Sequence, residues 1–378
     1  NMKKLSNLRF KGLLSSIIII SAILVLITGC GKKGLQPGYD KKELTALLPV
    51  MERTYDSADI GGFKTPEPKD IKRVFRSKVS PLMNRFDVWV TKDKKAILAI
   101  RGSIVDTAAL SFTAAFYVPM VPAIGKIKMS DTKTFEYKVA ELPDAAVHIG
   151  MLLGLGHISD ELLEQIKKQY ADGIRDFVIL GHSQGSGIGF LATSYLLYLQ
   201  KDGKLPKDIK FKTYTIAAPK TGNVQYAYDY EKLTMGGWAM SVNNVLDWVP
   251  SIGITLQAAQ DFPKISPFMN LKGFFTSVNY KPGEKFDESA KKFLGVVPSA
   301  GEEVRKIVHE NVYPKVQKVM PGYVEPEFLT TTDFERAGLN IPMVPNAEYY
   351  KLFPNDPAKS QVWENHSVYP YYVLVTSN

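Results

Sequence analysis

Cysteine is almost missing from this 378-residue chain. Cys30 is the only one, so no intramolecular disulfide can form and a zinc site built on several thiolates is excluded. Histidine is scarce as well: any imidazole chemistry must come from His148, His157, His182, His309 or His366. No acidic residue occurs in the first 29 positions, where Lys3, Lys4, Arg9 and Lys11 lie. Beyond that stretch 43 basic residues face 38 acidic ones. This mild positive balance suits anionic lipid and falls far short of a nucleic-acid footprint. No internal repeat or low-complexity tract is visible. A hydrophobic content of 45% with 22% charged residues excludes a disordered or collagen-like chain.

Near the start, fifteen residues from Leu13 to Ile27 are apolar except for Ser15, Ser16 and Ser21. That is the length of a signal-peptide core and shorter than a comfortable membrane span. The run ends in Ile27-Thr28-Gly29-Cys30, which resembles the lipobox of bacterial lipoproteins, whose peptide is cut before the cysteine. Lipid is then attached to the cysteine's sulfur and amino group. The resemblance implies a signal peptide over 1–29, a lipidated Cys30, a tether over 30–40, and an exported protein anchored in the cell envelope. At roughly 0.8 kcal/mol per buried methylene, two or more acyl chains hold a soluble domain on a membrane durably.

The remainder, 41–378, shows no linker and reads as one domain. Phe86, Val88 and Val90 alternate with Asp87 and Trp89, and Lys92–Lys95 turns the chain into a second strand, 96–101. Leu162, Leu163, Ile166 and Tyr170 recur at helical spacing over 158–172, with Ser159 or Asp160 as cap and Gly173 as stop. Phe177–Leu180 is a continuous apolar run, as in a strand covered on both faces. A helix is expected over 186–199, a strand over 211–216 and a weaker strand over 238–242. Alternation of this kind implies a mostly parallel sheet with helices on both sides.

Gly181-His182-Ser183-Gln184-Gly185 is a G-x-S-x-G sequence. By itself the pattern is weak, but here it follows a buried strand and precedes a helix, the order a nucleophile elbow requires. Such a turn exposes the seryl oxygen at the strand's carboxyl end. The hydroxyl becomes a nucleophile once a histidine removes its proton and a carboxylate orients that histidine. His182 points away in such a turn and reads as structural. The chain order serine, acid, histidine leaves His309 and His366 as bases, while Asp229, Asp247 and Asp261 are available acids.

Several separated segments resemble the class 3 lipases, the fungal-lipase-like branch of the α/β-hydrolases. They are Ala96–Ser103, ending in Arg-Gly-Ser; Val147-His148-Ile149-Gly150; the elbow; Thr213–Asn223; Val242–Pro250; and Asn365-His366-Ser367 with Tyr369, Tyr371 and Tyr372. The resemblance spans about 85–250 and 360–375 in the family's order. It implies an α/β-hydrolase fold with Ser183 as nucleophile, Asp247 as acid and His366 as base. It also implies an oxyanion hole from Ser103 and the backbone N–H of Gln184. Gln184 replaces the family's leucine and Ser186 its second glycine. The stretch between Asp247 and His366 is longer than in the family, so about 251–350 reads as an insertion. His309 lies in a charged helical stretch, 302–312, and reads as surface.

These assignments describe a membrane-tethered serine ester hydrolase acting on lipid esters, as a lipase or a phospholipase A1-like acylhydrolase, through an acyl-enzyme. No metal or organic cofactor is implied. A feruloyl-type or general carboxylesterase is an alternative on the same scaffold. A non-catalytic surface lipoprotein is another, which the intact serine, acid and histidine set argues against. The apolar segment Thr107–Gly125, with Phe112, Phe116, Pro119 and Pro122, fits either a core helix and loop or a lid over the acyl pocket.

Overall fold

In the computed structural model the described residues are 34–104, 110–253, 255–263, 265–266, 271–279, 284–358 and 362–377. The apolar run 13–27 and Cys30 lie outside them. The chain divides into two compact units, Asn1–Gln36 and Pro37–Asn378. Of the first, only 34–36 are described, where the Gln36 side-chain Nε2 donates to the Gly34 carbonyl at 3.2 Å.

The second unit is built on a seven-stranded sheet. Strands β1 (Ile71–Arg76), β2 (Phe86–Thr91), β3 (Lys95–Ile100), β4 (Asp176–His182), β5 (Lys210–Ile216), β6 (Ala239–Asn244) and β7 (Leu339–Met343) lie side by side in chain order. The first three form an antiparallel meander, and β3 through β7 are parallel. Leu98, Ile100, Phe177 and Ile179 share one core with Leu152 of helix α2 (Ile149–Ala171) and with Ile188 and Leu191 of helix α3 (Gln184–Lys201). Their neighbours Ile97, Ala99, Val178 and Leu180 face the other way and are buried too. Helix α1 (Lys41–Glu52) covers β3 and β4, and helix α4 (Val368–Ser377) packs on α1. Burial on both sides is why β4 reads as an unbroken apolar run; full burial of Phe177 alone contributes about 1.5–3 kcal/mol. A mostly parallel sheet covered by helices, with a sharp turn from β4 into α3, is the α/β-hydrolase fold.

Two sequence readings need correction, and one choice that the sequence leaves open is narrowed. Helix α2 begins at Ile149, not near Ile158, and its cap is His148, whose Nδ1 accepts the Met151 N–H at 3.3 Å, rather than Ser159 or Asp160. Its first turns are buried all round, so no amphipathic stripe marks them. Gly150 there is a packing glycine, since an added Cβ would lie 1.8 Å from the Ala114 carbonyl oxygen.

The stretch 251–350 is not wholly an insertion. It holds the helices Leu271–Ser277, Glu284–Asn311 and Tyr313–Val319, but also the edge strand β7 and the buried Tyr349.

The segment 107–125 cannot be a lid along its length. Residues 105–109 lie outside the described residues, and Leu110–Phe116 is a helix. Beyond it Tyr117, Pro119, Met120, Val121 and Ala123 are buried, whereas Pro122 and Ile124 are exposed. Tyr117 is fully buried with its hydroxyl 2.5 Å from Glu325 Oε1, and Met120–Pro122 pairs with Ala146–His148.

Candidate active site

The register of β3 against β4 sets Ile100 opposite Gly181. Arg101-Gly102-Ser103 therefore leaves the sheet beside the turn that carries Ser183. That turn is tight: a Cβ on Gly181 would lie 2.4 Å from the Gly185 carbonyl oxygen, and one on Gly185 would lie 2.2 Å from that of Ile100. Ser183 itself has φ 57 and ψ −129, a strained conformation of the kind that persists only where its surroundings hold it. Its amide donates to the Ile216 carbonyl (2.9 Å), and its side chain does not cap α3. The hydroxyl is left for another partner.

That partner is His366, whose Nε2 lies 2.9 Å from Ser183 Oγ. On the far side of the ring, Nδ1 is 2.9 Å from Asp247 Oδ2 and 3.1 Å from Oδ1. Ser183, His366 and Asp247 thus form a continuous triad although they span 183 positions of sequence. Asp247 follows β6 and is buried, with two further donors: the Tyr371 hydroxyl at 2.8 Å and the Val249 amide at 3.0 Å. Burial pushes the Tyr371 phenol far above its ordinary range, so it stays protonated as a donor. Asn244 donates to the Tyr349 hydroxyl (2.9 Å) and the Asn365 carbonyl (3.2 Å), which fixes the loop carrying His366.

The other sequence candidates fall elsewhere. His309 is exposed and lies 2.5 Å from Glu325. Asp229 accepts from the Tyr198 hydroxyl and from the amides of Glu141 and Leu142, and Asp261 accepts from the Ala258 amide. Ser103 and Gln184 do meet, with Ser103 Oγ 3.2 Å from the Gln184 side-chain amide.

Sequence reasoning missed Tyr55, which follows α1 and is buried. Its hydroxyl accepts the Gly102 N–H at 3.1 Å and lies 2.9 Å from His182 Nδ1. His182 Nε2 lies 2.7 Å from the His366 carbonyl oxygen. A carbonyl only accepts, so Nε2 carries the ring proton, Nδ1 is bare, and Tyr55 donates to it. One buried chain of hydrogen bonds therefore ties the Gly102–Ser103 loop, the elbow and the His366 backbone together. Nothing local in the sequence around Tyr55 signals this contact.

Burial holds His182 down to about 3, with the neighbouring His366 adding to the effect, and holds His148 down to about 4. Both stay neutral in the fold, whereas an unfolded chain protonates them below about 6.5. Stability is therefore fully present above that value and lost as pH falls toward the folded values. At pH 5 each histidine is expected to forfeit about 2 kcal/mol. Urea denaturation at pH 7 and pH 5 checks this; identical midpoints would contradict it.

Ser186 also has a role that its small size alone did not reveal. Its buried hydroxyl donates to the Ile216 carbonyl (2.7 Å) and accepts the Ile216 amide (2.8 Å), joining α3 to β5. Ser186→Ala is expected to cost about 2 kcal/mol, because it leaves buried peptide groups without those partners. An unchanged denaturation midpoint would refute this.

Two cavities meet at Ser183. One, of about 340 Å³, is lined mainly by apolar side chains, among them Phe112, Val118, Met151, Trp248, Val249 and Trp363. The other, about 140 Å³, includes Tyr55, Ile60, Lys64 and Tyr369. Ser103, Phe112, Ser183 and Trp363 border both.

Residues 97–256 match the family model for lipase (class 3). The matched segment runs from β3 through the elbow to just beyond Asp247, and His366 lies outside it. The secreted mono- and diacylglycerol lipase MDL4 of Malassezia globosa is 29% identical over 117 residues, which are 31% of this chain. The chain spans 36% of that relative's length. Among solved structures, the chain is similar to lipase II from Rhizopus niveus, at 19% identity and a TM-score of 0.41, over 56% of this chain and 74% of that one. It is also similar to a triacylglycerol lipase from Penicillium expansum, at 18% identity and a TM-score of 0.41, over 57% and 75% of the two chains.

Proposed function

We propose that the protein is a serine ester hydrolase that cleaves lipid esters, as a lipase or a phospholipase A1-like acylhydrolase, through an acyl-enzyme. The observation that carries this reading is the triad, with both Ser183–His366 and His366–Asp247 contacts at 2.9 Å. Ser183 Oγ attacks the ester carbonyl while His366 Nε2 takes its proton. Asp247 holds the Nδ1–H tautomer and stabilises the imidazolium. The tetrahedral oxyanion is received by the backbone N–H groups of Ser103 and Gln184 and by the Ser103 hydroxyl. His366 then returns its proton to the leaving alcohol, and water, activated by the same imidazole, releases the acid. The larger cavity accepts the acyl chain, because its Phe112, Met151, Trp248 and Trp363 offer apolar contact. The smaller one, edged by Lys64 and Tyr369, faces the alcohol portion.

Initial rates on triacylglycerols, diacylglycerols, phospholipids, and short-chain or aromatic esters test the reading. Cleavage of the long-chain lipids is expected. Cleavage of the short or aromatic esters alone would overturn the lipid assignment, and no ester hydrolysis at all would overturn the whole. In this reading Cys30 carries the acyl chains that hold the enzyme at its substrate in the cell envelope, supported by the apolar run and lipobox-like residues before it. An alkyne fatty acid fed to expressing cells is expected to label the protein but not its Cys30→Ala variant; no label on either would refute the anchor.

A further inference from the structure

We propose that Gln184 acts through its side chain as well as its backbone, as the positioning residue that aims the Ser103 hydroxyl at the oxyanion. This rests on the assignment of Ser183 as nucleophile and of Ser103 to the oxyanion hole.

Gln184 opens helix α3 and is 2% exposed. The terminal atom of its amide nearest Ser103 lies 3.2 Å from Oγ. With the amide oxygen turned toward Ser103, that contact is an O–H···O bond longer than the usual 2.5–3.0 Å. The same orientation leaves Nε2 buried with no acceptor among the described residues, and an orphaned buried donor is destabilising. With the amide turned over, which preserves its shape, both problems shrink. The contact becomes an N–H···O bond within the usual 2.7–3.2 Å, and the NH₂ group gains an acceptor. The unpaired atom is then a carbonyl oxygen, the better tolerated of the two orphans.

The orientation decides what Ser103 can do. If Oγ donates to Gln184, its only proton is spent there. If Oγ accepts from Gln184, the proton is free and the lone pair opposite is fixed, so the O–H projects away from the amide. Ser103 and Ser183 line the same two cavities, and the oxyanion forms between them. A hydroxyl already held by a donor has no competing partner to leave when negative charge develops. Leucine, the residue this position has in the resembled elbow, offers the backbone N–H but cannot orient a hydroxyl.

The test is steady-state kinetics on one soluble ester for the wild type, Gln184→Leu, Gln184→Met, Gln184→Glu, Ser103→Ala and the Gln184→Leu/Ser103→Ala pair. Inhibition by a trifluoromethyl ketone mimic of the tetrahedral state is measured alongside. Ser103→Ala is expected to lower kcat about 10- to 100-fold, because the backbone donors remain. Gln184→Leu and Gln184→Met are each expected to lower kcat about tenfold, to weaken the ketone by a similar factor, and to leave KM within about twofold. In the Ser103→Ala background, Gln184→Leu is expected to cost nothing further, since no hydroxyl remains to aim. Gln184→Glu presents only acceptors, draws the Ser103 proton to itself, and is expected to fall at least as far as Ser103→Ala. Equal losses from Gln184→Leu with and without the Ser103 hydroxyl would mean simple packing and overturn the proposal, as would unchanged kcat in both Gln184→Leu and Gln184→Met. A wild type that cleaves no ester would remove the underlying reading as well, which separates the two failures. Gln184→Met preserves the side-chain length if the leucine variant does not fold.

Discussion

Ser183→Ala is expected to lower ester turnover by about four to six orders of magnitude while leaving the thermal midpoint unchanged or slightly raised. The loss is large because the hydroxyl is the only group in the triad that bonds to the acyl carbon; His366 and Asp247 have no function in acyl transfer without it. The residual rate reflects the oxyanion donors and substrate binding, which the substitution leaves in place. The fold is expected to tolerate the change because Ser183 Oγ caps no helix, and the bond anchoring this residue is its backbone amide to Ile216. Alanine keeps the Cβ that the strained φ of 57 already accommodates. Parallel measurement of kcat/KM and of denaturation separates chemistry from folding. A fall of less than about a hundredfold would mean that another nucleophile carries the reaction.

Asp247→Asn is expected to cost about 10⁴-fold in kcat at neutral pH. Asp247 accepts from His366, Tyr371 and Val249, and a carboxylate has acceptor sites for all three. Asparagine places donors where an acceptor is required. The imidazole then turns a bare Nδ1 toward position 247 and an Nε2–H toward Ser183, and the serine proton has nowhere to go. Tyr371 survives as a partner, because its hydroxyl can accept from the new amide, so the loop is expected to stay in place. A loss below tenfold, with the fold intact, would show that Asp247 is a structural acceptor and that the acid lies elsewhere.

The parts of this site that were legible in the sequence are those whose constraints are local. The elbow needs small residues at 181 and 185 because backbone oxygens lie within 2.4 Å of any Cβ there, and such a need leaves a mark within five residues. Asp247 and His366 were legible because each sits in a short ordered element, after a strand in one case and before a tyrosine-rich helix in the other. Tyr55 was not. It reaches His182 across 127 positions, and the burial that makes this contact decisive is set by how α1 packs on the sheet. Strand β7 was hidden for a different reason: it is an exposed edge interrupted by Pro342, which faces Asn243, and edges tolerate proline and polar residues that obscure alternation. The early turns of α2 were hidden by glycines that the sequence presents as breakers and the fold uses for close packing.

Covalent labelling tests the central claim most directly. A fluorophosphonate reacts with a serine only when a neighbouring base has made it nucleophilic, and it forms a stable adduct at that atom. Peptide mapping after reaction of the intact protein is predicted to find one adduct, on Ser183, and to find almost none on Ser183 when His366 is replaced by alanine. An unmodified Ser183, or an adduct formed at the same rate without His366, would contradict the account.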